Sequence, residues 1–164
     1  GMTHSSLTWT DAVAKSAAAG HNAEGQVPAS RELFHRANSA YSLYCAPRDY
    51  ARFLVELMKA DRSAAHSLSA DTLAKMLTRA TRVDGTPPPA RQGGPAPGPA
   101  FYGLGWAIEE SADGDRIRHG GSNGTGFRCY CEWYPARGTG LVIMTNAAGG
   151  AALWREVIAQ IGEP

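Results

Sequence analysis

The chain has 164 residues, with 16 Lys or Arg against 15 Asp or Glu, and 43% of its residues are hydrophobic. That length is sufficient to bury a core, and the near-balance of charge excludes general nucleic-acid binding, because no basic excess exists to neutralise phosphates. No run of about 18 apolar residues occurs, so we expect no membrane span and no nucleic-acid partner. No signal peptide is recognisable, and Gly1-Met2 resembles a tag remnant ahead of a start methionine.

The first half of the chain predicts helices and loops. Thr8–Gly20 is typical of a short helix that ends at its glycine. Pro47–Ala60 predicts a longer helix, because proline suits the first helical position and apolar residues recur at intervals of three and four. Ser69 is the expected N-cap of a further helix over Ala70–Arg79.

A segment rich in proline and glycine separates the two halves. Asp84–Ala100 holds six of the ten prolines and four glycines, with no apolar run. Such a segment cannot form a helix or an interior strand, so we expect a long loop or a mobile linker. We expect one domain over residues 1–164, mainly helix and loop to residue 83 and sheet plus helix from residue 101.

The second half predicts an antiparallel sheet, because its apolar residues alternate and short turns join the segments. Ser111–Asp115 is the clearest turn, with Asp-Gly at its centre. Gly140–Asn146 is apolar enough to be a central strand, and Ala151–Ile161 predicts a closing helix. The expected fold class is therefore α+β, a four-stranded antiparallel sheet with a C-terminal helix and an N-terminal helical half. The four predicted strands are Tyr102–Glu110, Arg116–His119, Gly126–Tyr134 and Gly140–Asn146.

Asp115–Phe127 is the most distinctive stretch, since one histidine and four glycines lie close together in it. Gly120–Gly124 matches G-x-S-x-G, but a nucleophile elbow needs a following helix and a later histidine, and neither is present. A phosphate-binding P-loop would need G-K-[ST], which is absent as well. Both interpretations are therefore disfavoured.

The three cysteines are Cys45, Cys129 and Cys131. An odd number argues against a disulfide framework. Cys129 and Cys131 share one face of a predicted strand, but no second pair of ligands completes a metal site. We interpret them as strand-packing residues and expect neither a metal nor a cofactor.

The order of these elements resembles the C-terminal part of the serine β-lactamase and penicillin-binding-protein superfamily, closest to its class C-like branch of β-lactamases, esterases and D-aminopeptidases. Ser42–Leu54 resembles the family's G-L-x-S-T-x-x-D-L-A-R-F-L segment, and Gly1-Met2-Thr3 resembles its L-G-M-x-x-T/S stretch. Where the family has Ser-Thr before the helix, this chain has Cys45-Ala46, so we expect a lost side-chain cap. The resemblance implies a partial β-lactamase/transpeptidase-like fold.

The resemblance also implies a binding site. His119-Gly120-Gly121 matches the H-x-G form of the family's third motif. By this likeness, Ser122 would offer its backbone N–H as an oxyanion donor, and His119 would line the pocket and orient the substrate or relay a proton. The ligand expected for Gly120, Gly121 and Ser122 is a small amide, an ester or a peptide.

The family's catalytic serine and lysine are missing from this sequence. The residues three positions before Lys15, Lys59 and Lys75 are Ala12, Glu56 and Thr72, so no S-x-x-K exists, and Y-x-N is absent too. We therefore expect a fragment or pseudo-enzyme of a serine hydrolase, inactive alone. The alternative is a non-catalytic binding or assembly module.

If the family's N-terminal strands are missing, one sheet edge would be open. We expect residues 1–40, a homodimer contact or strand exchange to cover that edge.

Overall fold

The computed structural model describes residues 1–62, 68–83, 98–111 and 114–161. Positions 84–97 of the predicted loop at Asp84–Ala100 lie outside these residues, as do positions 112 and 113 of the predicted turn at Ser111–Asp115. The helices are α1 (Asp11–Ser16), α2 (Pro47–Met58), α3 (Ala70–Met76) and α4 (Gly150–Gln160). The strands are β1 (Ser5–Ser6), β2 (Tyr44–Cys45), β3 (Thr81–Arg82), β4 (Ala100–Tyr102), β5 (Ala107–Glu109), β6 (Arg116–Ser122), β7 (Arg128–Tyr134) and β8 (Thr139–Thr145).

The fold class is α+β, as predicted, but the main sheet has six strands rather than four. Its order is β3-β4-β5-β6-β7-β8, and every neighbouring pair is antiparallel. β1 and β2 form a separate two-stranded sheet. In the described chain no helix is long and apolar enough to cross a bilayer.

A turn at Gly103–Trp106 accounts for part of the difference in strand number. The backbone N–H of Gly103 donates to the carbonyl of Trp106 at 2.8 Å, and Gly105 has φ +80°. Because glycine adopts this φ without strain, the chain reverses here. The predicted strand Tyr102–Glu110 is therefore wrong: the segment contains the turn between β4 and β5. The other additional strand is β3, which has only two residues and is therefore too short to show an alternating pattern in the sequence.

The four helix predictions are confirmed, although α1, α2 and α3 are shorter than predicted and α4 begins one residue earlier. The predicted end of the first helix at Gly20 is wrong, because α1 ends at Ser16. α2 begins at Pro47, and its N-cap Ala46 makes no side-chain hydrogen bond, as expected from the loss of Ser-Thr. Ser69 does cap α3, since its hydroxyl accepts a hydrogen bond from the backbone N–H of Thr72 at 3.2 Å. α1 begins instead after Thr10, whose hydroxyl accepts from Val13 N–H.

The core lies between α2 and one face of the sheet. Ile108, Ile117 and Trp133 pair across β5, β6 and β7 and are almost wholly buried. Apolar surface removed from water at this interface stabilises the fold. The buried cluster comprises Leu54, Leu57, Trp106, Ile108, Ile117, Cys131 and Trp133.

The other face of the sheet carries α4 and a buried ionic group. Trp154 stacks on Tyr130 with ring centroids 4.6 Å apart, and Ile158 is fully buried. Leu153 and Ile161, which the apolar spacing of this helix would place on its buried face, are instead 58% and 50% exposed. The periodicity predicted the helix correctly but overestimated the width of its buried face.

β8 lies at one end of the sheet order, so the prediction of a central strand is wrong. Its apolar sequence reflects partial burial by α2, which packs against it, and not two neighbouring strands. Just beyond β8, His21 forms a parallel bridge with Ala147. The N-terminal segment thus crosses the end of this edge.

Candidate functional site

All four predicted site residues, His119, Gly120, Gly121 and Ser122, belong to β6, and Ser122 is its last residue. Pairing with β7 continues past His119 as far as Ser122, which lies opposite Arg128. We predicted a strand that ended at His119, and this is wrong. Gly120 and Gly121 continue the hydrogen-bonded pairing, because β7 lies beside them as a partner strand. Side chains alternate along a strand, so His119 and Gly121 share the α2 face, whereas Gly120 and Ser122 face the opposite side.

His119 is exposed and stands beside a buried aromatic ring. The ring centroids of His119 and Trp106 are 6.2 Å apart, in an edge-to-face arrangement. Trp106 is only 5% exposed and contacts Trp133 in the same manner. The imidazole is therefore supported on one side by the core and is open to solvent on another.

Cys129 belongs to this site, although we predicted only a packing role for it. It pairs with Gly121 across β6 and β7, and its side chain is exposed on the face that carries His119. The sequence contained enough information to predict this contact. If the H-G-G-S strand pairs with F-R-C-Y-C through the short loop between them, Gly121 lies opposite Cys129. Gly121 leaves room for the sulfur, since an added Cβ would lie 2.4 Å from it.

Cys131 and Tyr50 lie beneath His119. The buried Cys131 thiol donates a hydrogen bond to the His119 carbonyl at 3.5 Å and contacts the hydroxyl of Tyr50. Burial raises the pKa of Cys131 to about 11. Burial, reinforced by the neighbouring thiols, also raises the pKa of Tyr50. Both groups therefore stay protonated at neutral pH and tie α2 to the strand pair, as the predicted packing role requires.

The loop after β6 is held by its own polar groups. Asn123 Oδ1 accepts hydrogen bonds from the backbone N–H and the hydroxyl of Thr125. Arg128 Nη1 donates to the carbonyls of Asn123 and Phe127 at 2.9 and 2.8 Å. These contacts fix the end of the strand on which the site is built.

The N-terminal segment closes one side of this loop. A Cβ added to Gly20 would lie 1.9 Å from the carbonyl oxygen of Thr125, and one added to Gly126 would meet the His21 backbone at 2.6 Å. Gly126 also has φ +86°. The close approach of the two backbones thus depends on glycine at both positions.

One cavity lies away from this site. Its volume is about 330 Å³, and it opens between α2 and α3 above Trp133. In the described parts of the chain, no group of three His, Cys, Asp or Glu side chains is placed to hold a metal ion. On the face that carries His119, β6 and β7 together present backbone groups, the His119 imidazole and the Cys129 thiol. The cavity is lined by Leu57, Met58, Lys59, Ala60, Arg62, Ala70, Leu73, Ala74, Leu77, Trp133 and Pro135.

Comparison with known proteins agrees with this architecture. The family model described as Beta-lactamase matches residues 1–163. A solved structure, the β-lactamase/D-alanine carboxypeptidase from Pseudomonas syringae, is similar with a TM-score of 0.64 at 16% sequence identity. The match covers 100% of this chain and 50% of that one, so this chain spans about half the length of its structural relative. No curated protein matches. The chain belongs to the β-lactamase family.

Proposed function

We propose that this chain forms the substrate-holding wall of a β-lactamase-like hydrolase site and does not hydrolyse amides or esters alone. The observation that carries the proposal is the placement of His119 and Gly121 on one exposed strand face in a chain that lacks S-x-x-K. Without a serine activated by a lysine, the family's covalent step has no nucleophile.

Cys129 is the nearest alternative nucleophile, because it shares the face of His119. The pKa of the Cys129 thiol argues against that role. Although part of the residue reaches solvent, the surrounding protein desolvates the sulfur and raises its pKa. The thiolate is the reactive form, and a raised pKa makes it scarce at neutral pH. The site therefore supports binding better than covalent catalysis.

The ligand that we propose is a small acid with an amide or ester carbonyl. The donor that we propose for the carbonyl oxygen is the backbone N–H of Ser122, and the exposed His119 imidazole on the same strand would orient a polar substituent. The name of the structural relative suggests the first compounds to try, a β-lactam and a peptide that ends in D-alanine.

Hydrolysis and binding are tested separately. With nitrocefin and p-nitrophenyl acetate, the purified chain should show no turnover above buffer, and a fluorophosphonate probe should label no serine. Turnover that this probe abolishes would contradict the proposal.

Binding is measured by thermal shift and by NMR titration with a penicillin and an acyl-D-alanyl-D-alanine peptide. His119→Ala should weaken binding about tenfold, the effect of losing one good contact. The exposed His35 provides a matched control, because His35→Ala removes the same side chain from the N-terminal segment. Equal binding by wild type and His119→Ala would show that this strand face is not the site.

An assembly role is the second candidate, and the position of β8 at the end of the sheet favours it.

A further inference from the structure

We propose that residues 19–21 position the candidate ligand site by holding the loop that follows β6. This segment, here called the strap, contacts both the backbone beyond β8 and the loop over residues 123–126. Ser122, whose backbone N–H is the proposed donor to the ligand, directly precedes that loop. The role depends on the proposed ligand site on β6, and Gly20 is its central positioning residue.

One side of the strap is fixed to the backbone beyond β8. The carbonyl of Asn146 accepts hydrogen bonds from the backbone N–H of His21 at 2.8 Å and from its ring Nδ1 at 2.9 Å. The side chain of Asn146 donates to the carbonyl of Ala19 at 3.0 Å, and Ala148 N–H donates to the carbonyl of His21 at 2.9 Å. Because these bonds join the strap to the end of a sheet strand, the sheet sets the position of the strap.

The other side of the strap supports the loop after β6. Gly20 is buried, and a Cβ added to it would lie 1.9 Å from the carbonyl oxygen of Thr125. A Cβ added to Gly126 would likewise lie 2.6 Å from the carbonyl oxygen of His21. Interiors packed this closely transmit displacements instead of absorbing them. The loop therefore has no room to shift toward the strap.

Hydrogen bonds inside the loop extend this support to the end of β6. Thr125 donates to Asn123 Oδ1 from its backbone N–H at 3.2 Å and also from its hydroxyl. Arg128 Nη1 donates to the carbonyl of Asn123 at 2.9 Å, so the residue next to Ser122 is held by two partners. A displaced Thr125 should therefore move the Ser122 N–H. Since a hydrogen bond weakens as its distance and angle depart from their optimum, the proposed ligand would then bind less well.

The first experiment needs no ligand. Gly20→Ala should push the Thr125 carbonyl away from the strap, so the amide NMR signals of Ser122 and Thr125 should move. His21→Ala is the milder variant, because it keeps the strap backbone and removes only the ring bond to Asn146. It should move the same two signals by a smaller amount, and it serves as the test if Gly20→Ala does not fold.

Asn22→Ala is the matched control. Asn22 follows the strap directly, but its Oδ1 accepts from the backbone N–H groups of Glu24 and Gln26, in a turn that leads away from β6. Its loss should leave the Ser122 signal in place. Thermal midpoints are recorded for all variants, because a residue that only stabilises the fold would lower the midpoint without moving that signal.

The second experiment measures affinity for the penicillin and for the acyl-D-alanyl-D-alanine peptide. Gly20→Ala should weaken binding about tenfold and His21→Ala about threefold, whereas Asn22→Ala should bind as wild type does. If wild type binds neither compound, the proposed ligand site is wrong and the role of the strap falls with it. If wild type binds and the two strap variants bind equally well, or if their Ser122 signal stays in place, only the role of the strap is overturned.

Discussion

Gly121 and Cys129 lie opposite each other on β6 and β7, so close that a Cβ on Gly121 would be 2.4 Å from the Cys129 sulfur. The glycine of the H-x-G motif therefore has a packing reason that is independent of the binding role we propose for it. Its missing side chain makes room for a thiol on the same face as His119. A substitution at Gly121 should disturb the candidate site and the strand pair together.

Gly121→Ala is expected to destabilise the fold by about 1–3 kcal/mol, the usual cost of overpacking. Urea unfolding measures the change. Gly121→Ala combined with Cys129→Ala should recover most of the loss, because the obstructing sulfur is gone. Gly124 has no atom within 4 Å of an added Cβ, so Gly124→Ala is the control and should change stability little. A double variant as unstable as Gly121→Ala alone would refute this explanation.

Asp49 is expected to make stability depend on acid pH. This buried carboxylate accepts hydrogen bonds from the His4 backbone N–H at 2.6 Å, from Ser5 Oγ at 3.0 Å and from Arg52 Nη1 at 2.7 Å. Desolvation alone would raise the pKa of Asp49, but these bonds outweigh it and lower the pKa below its ordinary value.

Because the pKa of Asp49 is lower in the folded state, its stabilising contribution is present above the unfolded value of about 3.9. It is lost as pH falls through the folded pKa. Thermal midpoints measured from about pH 6 down to about pH 2 should therefore fall more steeply for wild type than for Asp49→Asn. Asp71→Asn, at an exposed aspartate of α3, should keep the wild-type slope. Parallel curves for wild type and Asp49→Asn would rule out the assignment.

The cysteines should react in a fixed order. Cys129 is exposed, whereas Cys131 is buried and has a pKa of about 11. At pH 8, only about one in a thousand Cys131 thiols would be ionised, and the thiolate is the form that reacts. Iodoacetamide followed by peptide mass spectrometry should find Cys129 modified first and Cys131 modified only in denaturant. Equal labelling rates in the native state would contradict the burial of Cys131.

The buried ionic group under α4 should be sensitive to the loss of one partner. Arg116 Nε donates to Glu109 Oε2 at 3.0 Å, and both side chains are largely shielded from water. Arg116→Met leaves the Glu109 carboxylate with a more distant partner, Arg118 Nε at 3.4 Å. We expect a loss of about 3 kcal/mol, measured by urea unfolding.

Replacing both charges with Glu109→Gln and Arg116→Met should cost less than Arg116→Met alone, because the buried Glu109 carboxylate is then neutral, while Glu132 loses its ion pair with Arg116 in both variants. Arg79→Ala is the surface control. Its ion pair with Asp115 is well exposed, so the loss should be at most about 1 kcal/mol. If the double variant were less stable than Arg116→Met alone, the unpaired Glu109 carboxylate could not be the cause of the loss.

Local signals in the sequence determined the helices and the candidate motif. Proline at position 47 and the apolar spacing after it define α2, and Ser69 defines the start of α3. The H-G-G-S motif and the lack of S-x-x-K are likewise properties of the sequence alone. Each depends on residues within about one helical turn or one strand, so no distant contact was needed to predict it.

Only the tertiary structure decided where the strands divide, which strand is terminal and in what register they pair. The turn at Gly103–Trp106, the place of β8 at the sheet edge and the approach of Cys129 to Gly121 all depend on pairing between separate segments. An apolar strand has the same sequence whether another strand or a helix covers it, so composition could not show that β8 is terminal. The register of the β6–β7 pair places the Cys129 thiol beside Gly121, and it places His119 on the same face of the sheet.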